Sequence, residues 1–314
     1  MTDEQRRILE MLAEGKVSVG EAERLLKALQ DSSRRGTGGQ AESPGEQSDD
    51  RGADGETGPS THSDSFEVGA SPRLEVRGFN GRVRVHAGSP GSIRVRAKLK
   101  NPHLVEYSAV QEDDLVTVEA RPVQSGGVLS GPFGESTGAN IEVVVPAAAR
   151  VDLTTSNGPV ELRGTEGGGE LQTANGRIKV ESSKGDLGAR TSNGAITVRS
   201  FEGAAELATS NSRMAIEDAH GRFDARTTNG SIKFQGSIDP GSSSRLATSN
   251  GSVKVTLDSE PSLKVAASTA NGRIRCGLPG FSASVDTGRK LEGTAGKGEA
   301  ELTLQTSNGS IAIQ

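Results

Sequence analysis

An Asn preceded two residues earlier by Thr, and in most cases followed by Gly, recurs at Asn157, Asn175, Asn193, Asn211, Asn229, Asn250, Asn271 and Asn308. The successive spacings are 18, 18, 18, 18, 21, 21 and 37, the last being about two periods with one degenerate unit. Self-similarity at a fixed period marks a repeat architecture, in which each unit is buried by its neighbours rather than by itself. The unit also has an internal pattern. Leu187, Ala189 and Thr191 alternate with Gly188, Arg190 and Ser192 before the turn, and Ile196 and Val198 alternate with Thr197 and Arg199 after it. Period two with one apolar face describes half-buried strands. The Asn-Gly pair reads as a tight corner whose glycine supplies a positive φ.

Two architectures satisfy this pattern. An Asn-Gly pair between alternating strands is a hairpin signal, which gives an antiparallel meander. Units of equal length with small inward residues such as Ala189, Ala225 and Ala267 instead favour one unit per coil of a parallel β-solenoid. Stacking then sets every Asn above its equivalent, so that the eight asparagines form a hydrogen-bonded turn ladder. Composition agrees with the thin core of such a solenoid. Aromatic residues make up 3% of the 314, Trp is absent, and hydrophobic residues reach only 32%.

The chain divides into three zones. Residues 1–30 carry two capping-box patterns, Thr2 with Gln5 and Ser18 with Glu21, each followed by an apolar stripe, and read as a helical hairpin. Thirty residues are too few for a self-sufficient core, so the hairpin is expected to pack on a copy of itself, the rest of the chain or a partner. Residues 31–64 hold eight acidic and three basic side chains and almost nothing apolar, which reads as a disordered acidic linker. From residue 65 onward the pattern is β. Within it, Leu74, Val76, Asn80, Gly81, Val83 and Val85 resemble an early copy of the unit, residues 66–150 read as a capping region, and Ser125 to Gly138 reads as a loop.

The Asn-Gly turn in a β repeat, with Phe79-Asn80-Gly81 near its start and Val145-Pro146 before the regular units, resembles the bacterial putative-adhesin family of β-strand repeats, a domain of unknown function. Met1 to Gln30 resembles the SHOCT-like hairpin that precedes such domains in YvlB- and LiaX-type proteins. The resemblance implies a β-solenoid, a link to bacterial cell-envelope stress, no enzymatic activity and no catalytic residues to transfer.

The remaining residues point the same way. Cys276 falls where other units carry Val180, Val198 and Val255, and no His lies within fifty residues of it, so it reads as an inward core residue. The four histidines are far apart with no ligand spacing, and neither a metal nor a cofactor is expected. Asp152, Glu170, Glu206 and Asp224, one acid per unit, read as a solvated face rather than a catalytic cluster. After the turn, Arg82, Arg84, Arg177, Lys179, Arg213, Lys233, Lys254, Arg273 and Arg275 form a broken basic stripe suited to weak contact with an anionic polymer or lipid headgroups. Base-stacking aromatics are missing from it, so nucleic acid is not expected. With no signal-peptide pattern and no apolar run near 20 residues, the expected location is the cytoplasm, or the periphery of the cell envelope. The expected function is a non-enzymatic interaction scaffold. Its partner, or a second copy, would dock on the hairpin and on the C-terminal coil, whose Ile311 and Ile313 are expected to lie uncovered at the end of the stack.

Overall fold

The computed structural model describes residues 60–123, 137–258 and 261–314. The expected hairpin at 1–30, most of the linker and most of the 125–138 loop lie outside the described residues. Strand β1 (Ser60–Glu67) begins inside the stretch read as linker, so β structure is present before residue 65. It is followed by β2 (Arg73–Arg77), β3 (Val83–Gly88), β4 (Ser92–Lys100), a 3-10 turn at Pro102–Leu104, β5 (Val105–Glu112), β6 (Leu115–Pro122) and β7 (Gly138–Pro146). The regular units supply β8 (Arg150–Thr155), β9 (Val160–Arg163), β10 (Gly169–Thr173), β11 (Ile178–Thr191), β12 (Ile196–Thr209), β13 (Met214–Thr227), β14 (Ile232–Ile238), β15 (Ser243–Thr248) and β16 (Val253–Leu257). The chain ends with β17 (Leu263–Thr269), β18 (Ile274–Cys276), β19 (Ser282–Asp286), β20 (Lys290–Ala295), β21 (Ala300–Thr306) and β22 (Ile311–Ile313).

Pairing between regular units is parallel, and residues 18 apart stand side by side: Ile178 beside Ile196, Leu187 beside Ala205, Thr191 beside Thr209. The fold is a parallel β-solenoid, not a meander. Strands leading into the Asn turns form an approach ladder, ordered β5-β6-β2-β8-β10-β11-β12-β13-β15-β21-β17-β20-β19. Strands leaving the turns form an exit ladder, ordered β1-β4-β7-β3-β9-β11-β12-β13-β14-β16-β22-β18. Strands β11, β12 and β13 belong to both. Each bends at a residue of left-handed conformation, Ser182, Ser200 or Asp218. Inward side chains of both ladders merge in one apolar cluster, with Phe201, Phe223 and Phe234 in edge-to-face contact at its centre. Burying alternate Val, Ile and Leu from two nearby ladders is what lets so aromatic-poor a chain build a core.

At both ends the stacking order departs from the chain order. The Asn80 unit lies between β6–β7 and the Asn157 unit. The Asn308 unit lies between the Asn250 unit and the Asn271 unit. Ile311 and Ile313 are therefore paired on both edges and buried, which overturns the expected open coil at the C-terminal end. The spacing of 37 holds no degenerate unit. It contains the antiparallel hairpin β19–β20, which packs on the outer edge of β17. Strands β4, β1 and β5 cover the opposite end in the same antiparallel manner.

Apart from Gly81, whose φ is +142, the turn glycines have a different cause from the one expected. Gly176 and Gly194 are not among the residues of positive φ. A Cβ on Gly194 would lie 1.7 Å from the carbonyl oxygen of Gly176, and one on Gly176 would lie 1.7 Å from that of Gly158. At these two positions a Cβ would violate the stacking distance rather than backbone handedness; after Asn211 the equivalent place is held by Ser212.

Candidate binding face

The turn ladder is complete and extends beyond the eight asparagines of the repeat. Each side-chain amide donates to the carbonyl of the asparagine in the preceding unit of the stack: Asn157 to Asn80, then Asn175, Asn193, Asn211, Asn229, Asn250, Asn308 and finally Asn271 to Asn308, at 2.7–3.0 Å. Asn80, read only as part of an early copy, is the ninth member. The Thr two residues earlier points inward and clamps the turn of the adjacent unit. Thr191 Oγ1 donates to the Gly176 carbonyl at 3.0 Å and accepts from the Gly194 N–H at 3.2 Å, while Thr209 donates to Gly194 at 3.0 Å. This explains why a polar residue is tolerated in a buried position.

On the approach ladder, outward charges of opposite sign are laced together. Arg190 bridges Glu170 at 3.0 Å and Glu206 at 2.8 Å, Arg73 bonds Asp152, and Arg226 bonds Asp224. The acids Asp152, Glu170, Glu206 and Asp224 are thus all partnered.

The exit ladder is arranged differently, and the expected stripe resolves into lanes. Residues four after each Asn form one lane: Arg84, Glu161, Lys179, Thr197, Ala215, Lys233, Lys254, Ala312 and Arg275 in stacking order. Its cations at the N-terminal side are neutralised, Arg84 by Glu161 at 2.9 Å and Lys179 by Glu181 at 2.8 Å, and Lys233 bonds Glu217 at 2.9 Å. Lys233 and Arg199 hold the Glu217 carboxyl below the ordinary range by hydrogen bonding, and Lys179 does the same for Glu181. A cleft of about 650 Å³ opens between Arg84, His86, Glu161, Arg163, Lys179 and Glu181, with both signs of charge on its walls.

Residues two after each Asn form the other lane. Backbone bonds fix its order: Asn140, Arg82, Pro159, Arg177, Ala195, Arg213, Ser231, Ser252, Ser310 and Arg273. Lys98 of β4, opposite Asn140, precedes it. This lane contains no acidic residue. Arg82 reaches Glu161 at 3.6 Å, and Lys98, Arg177, Arg213 and Arg273 have no ion-pair partner among the described residues. The stripe read from sequence thus mixes a lane that is neutralised from Arg84 to Lys233, with Lys254 and Arg275 unpaired among the described residues, with one that contains no acid.

Cys276 pairs in register with Ile313, whose other neighbour is Val255, so it holds the expected column. It is half-buried, and burial pushes its thiol pKa up. Of the large hydrophobics, Val110 on β5, at 52% exposure, stands out on the approach ladder's edge.

The parallel 18-residue coils, their Asn ladder and the capped ends coincide with a known domain: the family model of Toastrack DUF4097 matches residues 73–314. The chain belongs to that family. A SHOCT-like domain model matches residues 3–34, ahead of the Toastrack domain. Among solved structures, the chain is similar to a putative adhesin from Bacteroides fragilis, at 11% identity and TM-score 0.47, covering 81% of this chain and 97% of that one. It is also similar to a putative lipid binding protein from Parabacteroides distasonis, at 10% identity and TM-score 0.32, covering 83% and 98%. A putative adhesin from Parabacteroides merdae is matched at 7% identity and TM-score 0.32, covering 81% and 96%. Among curated proteins none matches the chain. No helix among the described residues is long and apolar enough to cross a membrane.

Proposed function

We propose that this Toastrack protein is a non-enzymatic binding scaffold, adhesin-like in working through surface contact, with a rigid β stack that presents side chains at fixed spacing. The observation that carries this reading is the uninterrupted Asn ladder with its buried Thr clamps, which fixes nine successive units in one register. The ionisable groups support it. The Cys276 thiol is pushed away from the thiolate that a nucleophile requires. Carboxyls such as Glu181 and Glu217 are held low by Lys and Arg, opposite to the rise that a general acid requires. The SHOCT-like segment recruits a second copy or a protein partner, and the protein acts at the cell envelope. A second reading, favoured by the acid-free lane, makes the β face a sensor of anionic envelope polymer or lipid headgroups.

Cosedimentation of the full chain with isolated envelope material tests the scaffold, with mass spectrometry of that material before and after. Binding without chemical change is expected, together with concentration-dependent association that is lost on deleting residues 1–30. Turnover of the bound material at a rate that depends on one described side chain would refute the reading.

A further inference from the structure

The acid-free lane of the exit ladder has a regularity that general surface charge does not require. Numbered by strand, its cations fall on alternate positions: Lys98, Arg82, Arg177 and Arg213, with Asn140, Pro159 and Ala195 between them. Adjacent strands lie about 4.8 Å apart, so one cation recurs about every 9.5 Å. Continuing the alternation, the next place falls on Ser252, which is uncharged, and the one after falls on Arg273. From Lys98 to Arg273 the lane runs about 48 Å.

The surroundings restrict what fits. One flank is the Asn ladder, which is neutral and internally bonded. The other is the mixed lane, where Glu161 is followed in the next row by Glu181 and Glu217. A broad anionic surface would meet those carboxylates along with the arginines. A filament laid along the stack would meet chiefly the lane, with Glu161 reaching it at Arg82 and with Lys254 and Arg275 of the neighbouring lane adding charge of the same sign. The uncharged members Pro159, Ala195, Ser231, Ser252 and Ser310 are small, and the serine hydroxyls can donate to phosphate oxygens. No aromatic residue lies in the lane to stack a base.

We infer that Lys98, Arg82, Arg177, Arg213 and Arg273 form a binding track for a linear, base-free polyanion carrying phosphates along its length, aligned with the stack axis. This inference rests on the second reading, the sensor of anionic polymer, and names its ligand class. Binding is multivalent, so affinity grows with polymer length up to the length of the lane.

The test uses the full chain and end-labelled inorganic polyphosphate, in chains long enough to span the lane, with tripolyphosphate as the short comparison. Long chains are expected to bind, and tripolyphosphate far more weakly. The logarithm of affinity should fall with the logarithm of salt at a slope of about −3.5 for five contacts. Arg177→Gln and Arg213→Gln, both at exposed side chains, should each weaken binding about fivefold and flatten the slope by about 0.7, at unchanged melting temperature. Ser252→Arg fills the vacant place and should tighten binding of the long polymer about fivefold while leaving tripolyphosphate unaffected. Arg190→Gln, on the approach ladder, should change neither. Equal losses from Arg190→Gln and Arg177→Gln would overturn the track, as would tighter binding to phosphatidylglycerol vesicles or to single-stranded oligothymidine. If no polyphosphate binds while the chain still sediments with envelope material, the track falls and the scaffold stands.

Discussion

From Asn175 to Asn229 every unit lies beside the units that precede and follow it in sequence, whereas at both ends of the β domain a unit is threaded inside its neighbour. The middle needs only local order: each coil templates the next, and its contacts span about one repeat. The ends need long-range pairing, Val83 with Val160 and Ile311 with Val253, and they close the stack with antiparallel strands. A solenoid whose extremities are exposed coils invites edge-to-edge association. Threading moves the chain's last strands inward and leaves the outer edges to polar strands such as β1 and β19.

This contrast gives four outcomes, the largest at the C-terminal end. Ile311→Lys buries a charge at a fully buried position paired on both sides, and should cost at least about 4 kcal/mol. Hydrogen exchange should then accelerate across β16, β17, β18 and β21 while β11 and β12 stay protected. Acceleration confined to β22 would mean that this strand is an edge after all. Next comes the middle. Gly194→Ala forces a methyl against the Gly176 carbonyl and should cost about 3 kcal/mol. Gly280→Ala, with φ +66 and open space around it, should cost about 1 kcal/mol. Equal values in denaturant titration would return the turn glycine to a matter of backbone handedness. Thr191→Val removes one donor bond and leaves the Gly194 N–H without its acceptor, for about 1–2 kcal/mol. Thr155→Val, near the threaded end, breaks only a 3.4 Å contact to Phe79 and should cost less. The smallest effect concerns pH. Because Glu217 titrates lower in the folded chain than in the unfolded one, its ion pairs stabilise above the unfolded value and lose that contribution as pH falls toward the folded one. Glu217→Gln should flatten that part of the stability profile and leave the profile above it parallel.

The repeat, the strand register and the Asn ladder were legible because one unit carries all of them in its own residues. Thr-x-Asn-Gly with alternating flanks fixes which side chains point inward and the register of any two coils that stack. The threaded ends were not legible, since every unit offers the same inward pattern and nothing in Ile311 or Ile313 says which coil they join. The glycine's reason was hidden for a related cause. A steric contact between coils leaves the same letter in the sequence as a positive φ. Likewise the basic residues were visible, but their division into a partly neutralised and an acid-free lane depends on a two-residue offset. It also depends on acids such as Glu161, which sits beside Arg84 only after stacking.

The Asn ladder has one further property. Every amide in it donates in the same sense, from Asn271 toward Asn80, and the Thr191 and Thr209 hydroxyls donate in that sense too. Aligned amides add their dipoles, as peptide groups do along a helix. The column therefore carries partial positive charge at the Asn80 end and partial negative charge at the Asn271 end. A stack of near-identical coils acquires a head and a tail, and a charged filament lying beside it would feel a direction.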